Sequence, residues 1–304
     1  MNVGVFGGRG PDIAAAQDAA IPVAARRDDR VLRETRWLAA FIVPFLVVAF
    51  VLLYLLPGDT DRLFAWTIHP NMTPLIMGAG YISGSYFFVQ VLRARKWHTV
   101  HLGFLPIAGF TLFMAIATFM HLDRFHQGHV AFYAWAGLYI VTPVLVPLVW
   151  YRNSRTDPRA PEPGDVLLPP AVCAILAGAG AIQFALAVAL LLLPSVMIGY
   201  WPWALTPLTA QVVGGWFALP GVVALLMAMD RRWSAIRITL QSQLIGLALI
   251  LIGVVRAWGD FDQGNPLTWI FIGGIAALFT CLLALHAAME RRRESTALPE
   301  VGPA

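Results

Sequence analysis

Leu55-Leu56-Pro57, followed by Trp66 and Pro70, is answered later in the chain by Leu192-Leu193-Pro194, Trp203 and Pro207. In both places the Trp follows the first proline by nine residues and precedes the second by four. Further on, Arg95-Lys96-Trp97 matches Arg231-Arg232-Trp233. Asp123-Arg124-Phe125-His126-Gln127-Gly128 matches Asp260-Phe261-Asp262-Gln263-Gly264, with one residue deleted. The offset stays at 137 or 136 throughout. A repeat of this length is one structural unit written twice, and it sets the architecture before any local pattern is read.

Composition says what the unit is made of. Of 304 residues, 59% are hydrophobic and 12% are charged, too little charge for the surface of a soluble protein of this size. The apolar residues fall in uncharged runs: Leu38 to Leu56, Thr73 to Leu92, Leu102 to Met120, Val130 to Tyr151 and Val166 to Met197. Leu208 to Met229, Ile238 to Val255 and Pro266 to Met289 complete the set. Each is long enough to cross about 30 Å of hydrocarbon as a helix, and in lipid the helix satisfies every backbone group internally. The expected fold is an all-α integral membrane protein with eight transmembrane helices.

Basic residues orient it. With both termini cytoplasmic, all but three of the 21 Lys and Arg fall in inner segments; Arg62, Arg124 and Arg256 remain outside. That bias holds in every short loop and places the chain in the cell membrane as a multi-pass protein, with N- and C-termini in the cytoplasm. The basic residues are therefore topology determinants that also face lipid headgroups. No basic patch is interleaved with stacking aromatics, so no nucleic-acid partner is expected. Cys173 and Cys281 both lie within apolar runs and imply no disulfide framework.

The domain reading is a disordered cytoplasmic tail over 1–36, a first four-helix repeat over 37–151, a linker over 152–165, a second four-helix repeat over 166–290 and a tail over 291–304. Pro158, Pro161, Pro163 and Gly164 mark the linker. Four crossings return the chain to its starting side, so the expectation is two parallel, same-topology repeats related by an axis along the membrane normal. Asn265-Pro266 reads as a helix cap. Pro44, Pro106, Pro143, Pro147 and Pro220 fall inside runs, and Trp66, Trp135, Trp201, Trp203, Trp258 and Trp269 are expected in an outer aromatic belt.

Polar chemistry gathers at the outer loops. Asp, Phe, a polar residue, Gln and Gly are kept in both copies, an internal sign that both halves retain one requirement. A helix-to-helix turn satisfies it, with Asp taking backbone N–H groups and Gly the left-handed position. The sharper expectation is a ligand site built from Asp123, Asp260, Arg256, Trp66, His69, Gln127 and Gln263, with the two Asp facing each other. Arg256 precedes Asp260 by four residues, so a continuing helix would bring them together. His121, His126, His129 and Asp262 offer donors for a divalent metal. His101 and His121 bracket the third run and His286 lies near the inner end of the eighth, so paired histidines holding haem at either surface are an alternative. No motif requires a cofactor. Gln183, Gln241 and Gln243 lie within runs and read as hydrogen bonds between helices.

The sequence contains no Gly-x-Ser-x-Gly, His-Glu-x-x-His or Walker motif and assigns no catalytic residue. With no charge at mid-span, it does not read as a voltage sensor. The function read is a permease-like or small-ligand-binding membrane protein with its site between the repeats on the extracytoplasmic side. Its partners are membrane lipid and a small solute, ion or lipid ligand. The alternatives are a membrane redox or metal-dependent enzyme using the outer His/Asp cluster, and a non-catalytic subunit bound to a membrane-protein partner.

Overall fold

The computed structural model describes residues 27–297. Among them there are no strands, and eight helices are long and apolar enough to cross a membrane. They are α1 (Arg33–Phe50, prolonged by a π-helical turn, Val51–Leu55), α2 (Met72–Arg93), α3 (Phe104–Met120) and α4 (Val130–Asn153), followed by α5 (Pro170–Leu192), α6 (Pro207–Met229), α7 (Trp233–Arg256) and α8 (Pro266–Ala297). The chain is a polytopic, multi-pass membrane protein.

Local chemistry sets the helix boundaries. Thr206 and Thr209 form a reciprocal capping box: Thr206 Oγ1 accepts from Thr209 N at 3.2 Å, and Thr209 Oγ1 accepts from Thr206 N at 2.7 Å. Asn265 Oδ1 accepts from Leu267 N at 2.9 Å, as the Asn-Pro pair implies. Pro44, Pro143, Pro147 and Pro220 do lie inside helices. Pro106 instead occupies the first turn of α3, where its missing N–H breaks no helical bond. The uncharged run from Val166 is not helical from its start. Residues 166–168 are extended and pair with the α6–α7 loop, so α5 begins only at Pro170.

The α1–α2, α3–α4, α5–α6 and α7–α8 loops gather at one end of the bundle. His126 N donates to Ala65 O at 2.8 Å, and Asp262 N donates to Pro202 O at 2.9 Å. The opposite end carries the described N-terminal residues, the α2–α3 and α6–α7 loops, the linker and the last turns of α8. There Trp97 N donates to Asp29 O at 2.7 Å, and Trp233 N donates to Val166 O at 2.9 Å. Short bridges join Arg30 to Lys96 and Leu167 to Arg232. The Asp29 carboxylate accepts from His98 N at 3.0 Å and pairs with its ring Nδ1. The Asp165 carboxylate accepts from Ser234 N at 3.2 Å and from Ser234 Oγ at 2.6 Å. Every one of these pairs recurs at the sequence offset.

Packing follows the same rule. α1 lies on α2 and α5 on α6, while α3 packs against α6 and α7 against α2, so the two halves interlock. Close approach is set by small residues. A Cβ on Gly78 would meet Tyr54 Cβ at 2.6 Å, and one on Gly214 would meet Ala187 O at 3.0 Å. Near the loop-rich end, Trp66 packs on Phe125 and Trp135 with ring centroids 5.1 and 4.8 Å apart, and Trp203 packs on Phe261 and Phe271 at 5.5 and 5.1 Å. Trp66, Trp135 and Trp203 are therefore core, not belt. Trp258 and Trp269 are the exposed, belt-like pair.

The expected tail over 1–36 falls partly outside the described residues. Within them, Asp29 and Val31 are buried and α1 starts at Arg33. The linker is tied down: Asn153 is fully buried, accepts from Leu32 N at 3.0 Å and Thr35 Oγ1 at 2.6 Å, and donates to Arg30 O at 2.8 Å. α8 carries Arg291, Arg292 and Arg293 as helix, and residues 298–304 of the expected C-terminal tail lie outside the described residues.

Candidate functional site

Most of the polar residues singled out at the loop-rich end have separate partners. Asp123 is exposed and pairs only with its neighbour Arg124, 3.1 Å away. Asp260 Oδ2 accepts from Met72 N at 2.8 Å, capping α2 from the other half. That role follows from the repeat: His69 stands where Thr206 caps α6, and α2 has no side-chain cap of its own. The two carboxylates are thus engaged separately, one in solvent and one at a helix start. Arg256 does not pair with Asp260, because α7 ends at Arg256 and the chain turns through a 3-10 segment. Its guanidinium donates to Tyr54 O at 2.6 Å and lies 5.1 Å from the centroid of the Tyr54 ring.

The expected ligand and metal residues are similarly dispersed. His121 Nε2 is 3.0 Å from Gln211 Oε1, and Gln211 Nε2 donates to Leu191 O at 2.9 Å. His126 lies 3.2 Å from Thr67 Oγ1 and 3.2 Å from Phe64 O. His129 Nδ1 accepts from Ala131 N at 3.2 Å and caps α4. Asp262 Oδ1 accepts from Gly264 N at 3.0 Å, closing its own turn. Gln127 Nε2 donates to Leu122 O at 2.8 Å, and Gln263 O accepts from Trp269 Nε1 at 3.2 Å. His69 is exposed, and Trp66 is buried. Among the described residues, the group with metal-ligand proximity is Asp29, His98 and Glu162, at the other end of the bundle. His101 Nε2 is 3.1 Å from Asp230 Oδ2, also at that other end, and His286 Nε2 is 3.1 Å from Gln241 Nε2.

The feature that the halves do build together lies inside the membrane span. A cavity of about 180 Å3 is enclosed by α2, α5, α6, α7 and α8, with the start of α3. Its wall contains no charged residue. It lies where the halves differ at a few positions. Carried through at an offset of 136, Phe88 and Phe110 correspond to Ala224 and Gly246. Tyr81 and Tyr139 correspond to Phe217 and Ile275. In the first half those four rings are buried core, with the two tyrosine hydroxyls 2.8 Å apart. In the second half all four counterparts line the cavity. The first half is also sealed where α1 packs on α4 through Thr35 and Asn153. α5 and α8 have no such seam, and only 17% and 6% of their apolar windows are buried.

Trp216 of α6 forms part of the wall and reaches towards α2, where only a glycine fits: a Cβ on Gly80 would lie 2.0 Å from the Trp216 ring. The indole Nε1 of Trp216 and the hydroxyl of Thr239 are buried without a partner. The amides of Gln183 and Gln243 also line the cavity and make no hydrogen bond among the described residues. A buried polar group left unpaired costs about 1–3 kcal/mol, so this wall favours a guest that offers hydrogen-bond acceptors. Reading Gln183 and Gln243 as helix-to-helix glue missed this. A residue-by-residue comparison of the two copies carries the signal, since large rings in one answer to Ala and Gly in the other.

No family model, characterised protein or solved structure matches the chain. The functional reading therefore rests on the geometry.

Proposed function

We propose that this is a duplicated membrane bundle that binds a lipid-like amphiphile in the cavity between its halves. The two four-helix units cross the membrane in the same direction, with the Arg-rich end in the cytoplasm of a cell-membrane protein. Support for the duplication comes from backbone and side-chain contacts that recur at the sequence offset. Support for the orientation comes from the Arg and Lys gathered at one end.

The single observation that carries the ligand reading is an uncharged apolar cavity whose Trp216, Thr239, Gln183 and Gln243 polar groups lack protein partners. Such a wall suits a guest that is mostly apolar with a few acceptor oxygens. The gap between α5 and α8 gives that guest a path from the bilayer. This moves the site from the outer loops to the membrane interior while keeping it between the repeats. The experiment is photolabelling with a diazirine-bearing fatty alcohol, followed by peptide mapping. Label on peptides containing Trp216, Gln243 and Leu278 supports the reading. Label spread evenly over the lipid-facing sides of α1 and α4, with none on those peptides, would overturn it.

A further inference from the structure

We propose that the amphiphile is an anionic phospholipid whose phosphate is held in the cleft below the cavity by Arg93, Arg237 and Arg293. This inference rests on the cavity reading above and extends it to the chemistry of the headgroup. A second cavity, of about 370 Å3, opens at the Arg-rich end between α2, α7, α8 and the linker. The two cavities share the framing helices α2, α7 and α8. On α2, Ile76, Gly80, Ser83 and Phe87 line the upper cavity, and Gln90 and Ala94 line the lower. These positions step by three or four residues and so form one helix face. From Phe87 to Gln90 the rise is about 4.5 Å. α7 does the same, with Ser234 and Ile238 below and Ser242 above.

Charge in the lower cleft favours an anion. Arg237 Nε and one Arg293 nitrogen each lie 3.0 Å from the same carboxylate, Glu290. Trp233 Nε1 donates to that carboxylate at 2.7 Å. Two guanidinium groups therefore share one negative charge. Arg93 has no carboxylate partner among the described residues. Of the acids in the cleft wall, Glu162 pairs with Lys96, while Asp165 is held by the neutral donors of Ser234, so three guanidinium groups face two carboxylates, Glu290 and Asp165. An excess of guanidinium donors in a headgroup-level cleft recognises phosphate. Gln243 lies just above, where an ester carbonyl of a glycerolipid would meet its unpaired amide. The chain would then run into the apolar cavity past Gly246.

The test offers equal amounts of dioleoyl phosphatidylglycerol and dioleoyl phosphatidylcholine to the full chain in mixed micelles. Lipid retained after washing is read by mass spectrometry. The wild type should enrich the anionic lipid roughly 30- to 150-fold, as two or three interfacial Arg contacts at about 1 kcal/mol each imply. Arg93→Gln with Arg293→Gln should erase the enrichment yet retain both lipids equally, whereas Arg93→Lys with Arg293→Lys should keep it. Gly246→Phe should release both lipids. Enrichment that persists in the double Gln variant overturns the headgroup assignment and leaves the cavity reading standing. Retention unchanged in Gly246→Phe overturns the cavity reading itself. Loss of the enrichment on adding inorganic phosphate would mark a free-anion site and also overturn the lipid assignment.

Discussion

Arg232→Met should be among the most damaging single changes at the Arg-rich end, although the matching change, Lys96→Met, should cost almost nothing. The two residues are matched in sequence, in Arg95-Lys96-Trp97 and Arg231-Arg232-Trp233. The Lys96 side chain is 52% exposed and pairs with a half-exposed Glu162, so its ion pair contributes about 0–1 kcal/mol. The Arg232 side chain is 7% exposed. It donates to Asp157 Oδ1 and Oδ2 at 3.2 Å each, and to Asp230 at 2.8 and 2.6 Å. Burial pushes both carboxylates upward, and the Arg232 hydrogen bonds and charge outweigh it, so both titrate below the ordinary value of 3.8. Removing the guanidinium leaves Asp157 buried without its counter-ion, a loss of about 3–5 kcal/mol. For a chain of this length that corresponds to a melting-temperature drop of roughly 6–12 °C.

The sign of the pH dependence is fixed. In the wild type a lowered carboxylate pKa contributes stability above 3.8 that is lost as pH falls through the folded value. In the variant the orphaned carboxylate is raised, so the gap between the proteins narrows as pH falls from 7 towards 4. Scanning calorimetry or a thiol-dye melt in one detergent at three pH values measures it. A drop under about 2 °C, or a gap that does not change with pH, would refute the account of this network.

Three further outcomes follow from the geometry. Gly80→Ala alone drives a Cβ into the Trp216 ring and should destabilise by about 1–3 kcal/mol. Trp216→Ala should relieve that strain in the double variant, and equal losses with and without the tryptophan would remove the clash from the account. Arg256→Met and Asp260→Asn should act independently, within about 0.5 kcal/mol of additivity, because Arg256 bonds Tyr54 and Asp260 caps α2. A strong coupling in a double-mutant cycle would restore them as a pair. A chelator should leave melting unchanged, since His121, His126 and His129 each have a separate protein partner; a fall of several degrees that disappears in His121→Ala but persists in His98→Ala would return a metal to the outer loops.

Much of the fold was legible because it depends on patterns that lie within single helices or recur in both halves. Eight apolar runs became eight long apolar helices, and the cap at Asn265-Pro266 formed as its two residues dictate. The site was harder to read, because burial depends on neighbours that the sequence does not name. Arg232 looks like any other inner-loop arginine, yet extended residues 166–168 and Asp157 close over it. Trp66 and Trp203 carry the composition of a belt, but facing rings from α4 and α8 bury them. Conserved-looking Asp and Gln in the outer loops turned out to bond their own turns or a helix start. The cavity is marked by residues that are missing: Ala224 and Gly246 gain meaning only beside Phe88 and Phe110.

The central claim is that the space lined by those small residues holds a guest. Its most direct measurement is the amount of amphiphile carried through purification by the wild type and by Gly246→Phe, extracted and quantified per mole of protein. The account predicts close to one bound molecule per wild-type chain and a near-complete loss in a variant that still melts cooperatively. Equal occupancy in both proteins, or none in either, would contradict it.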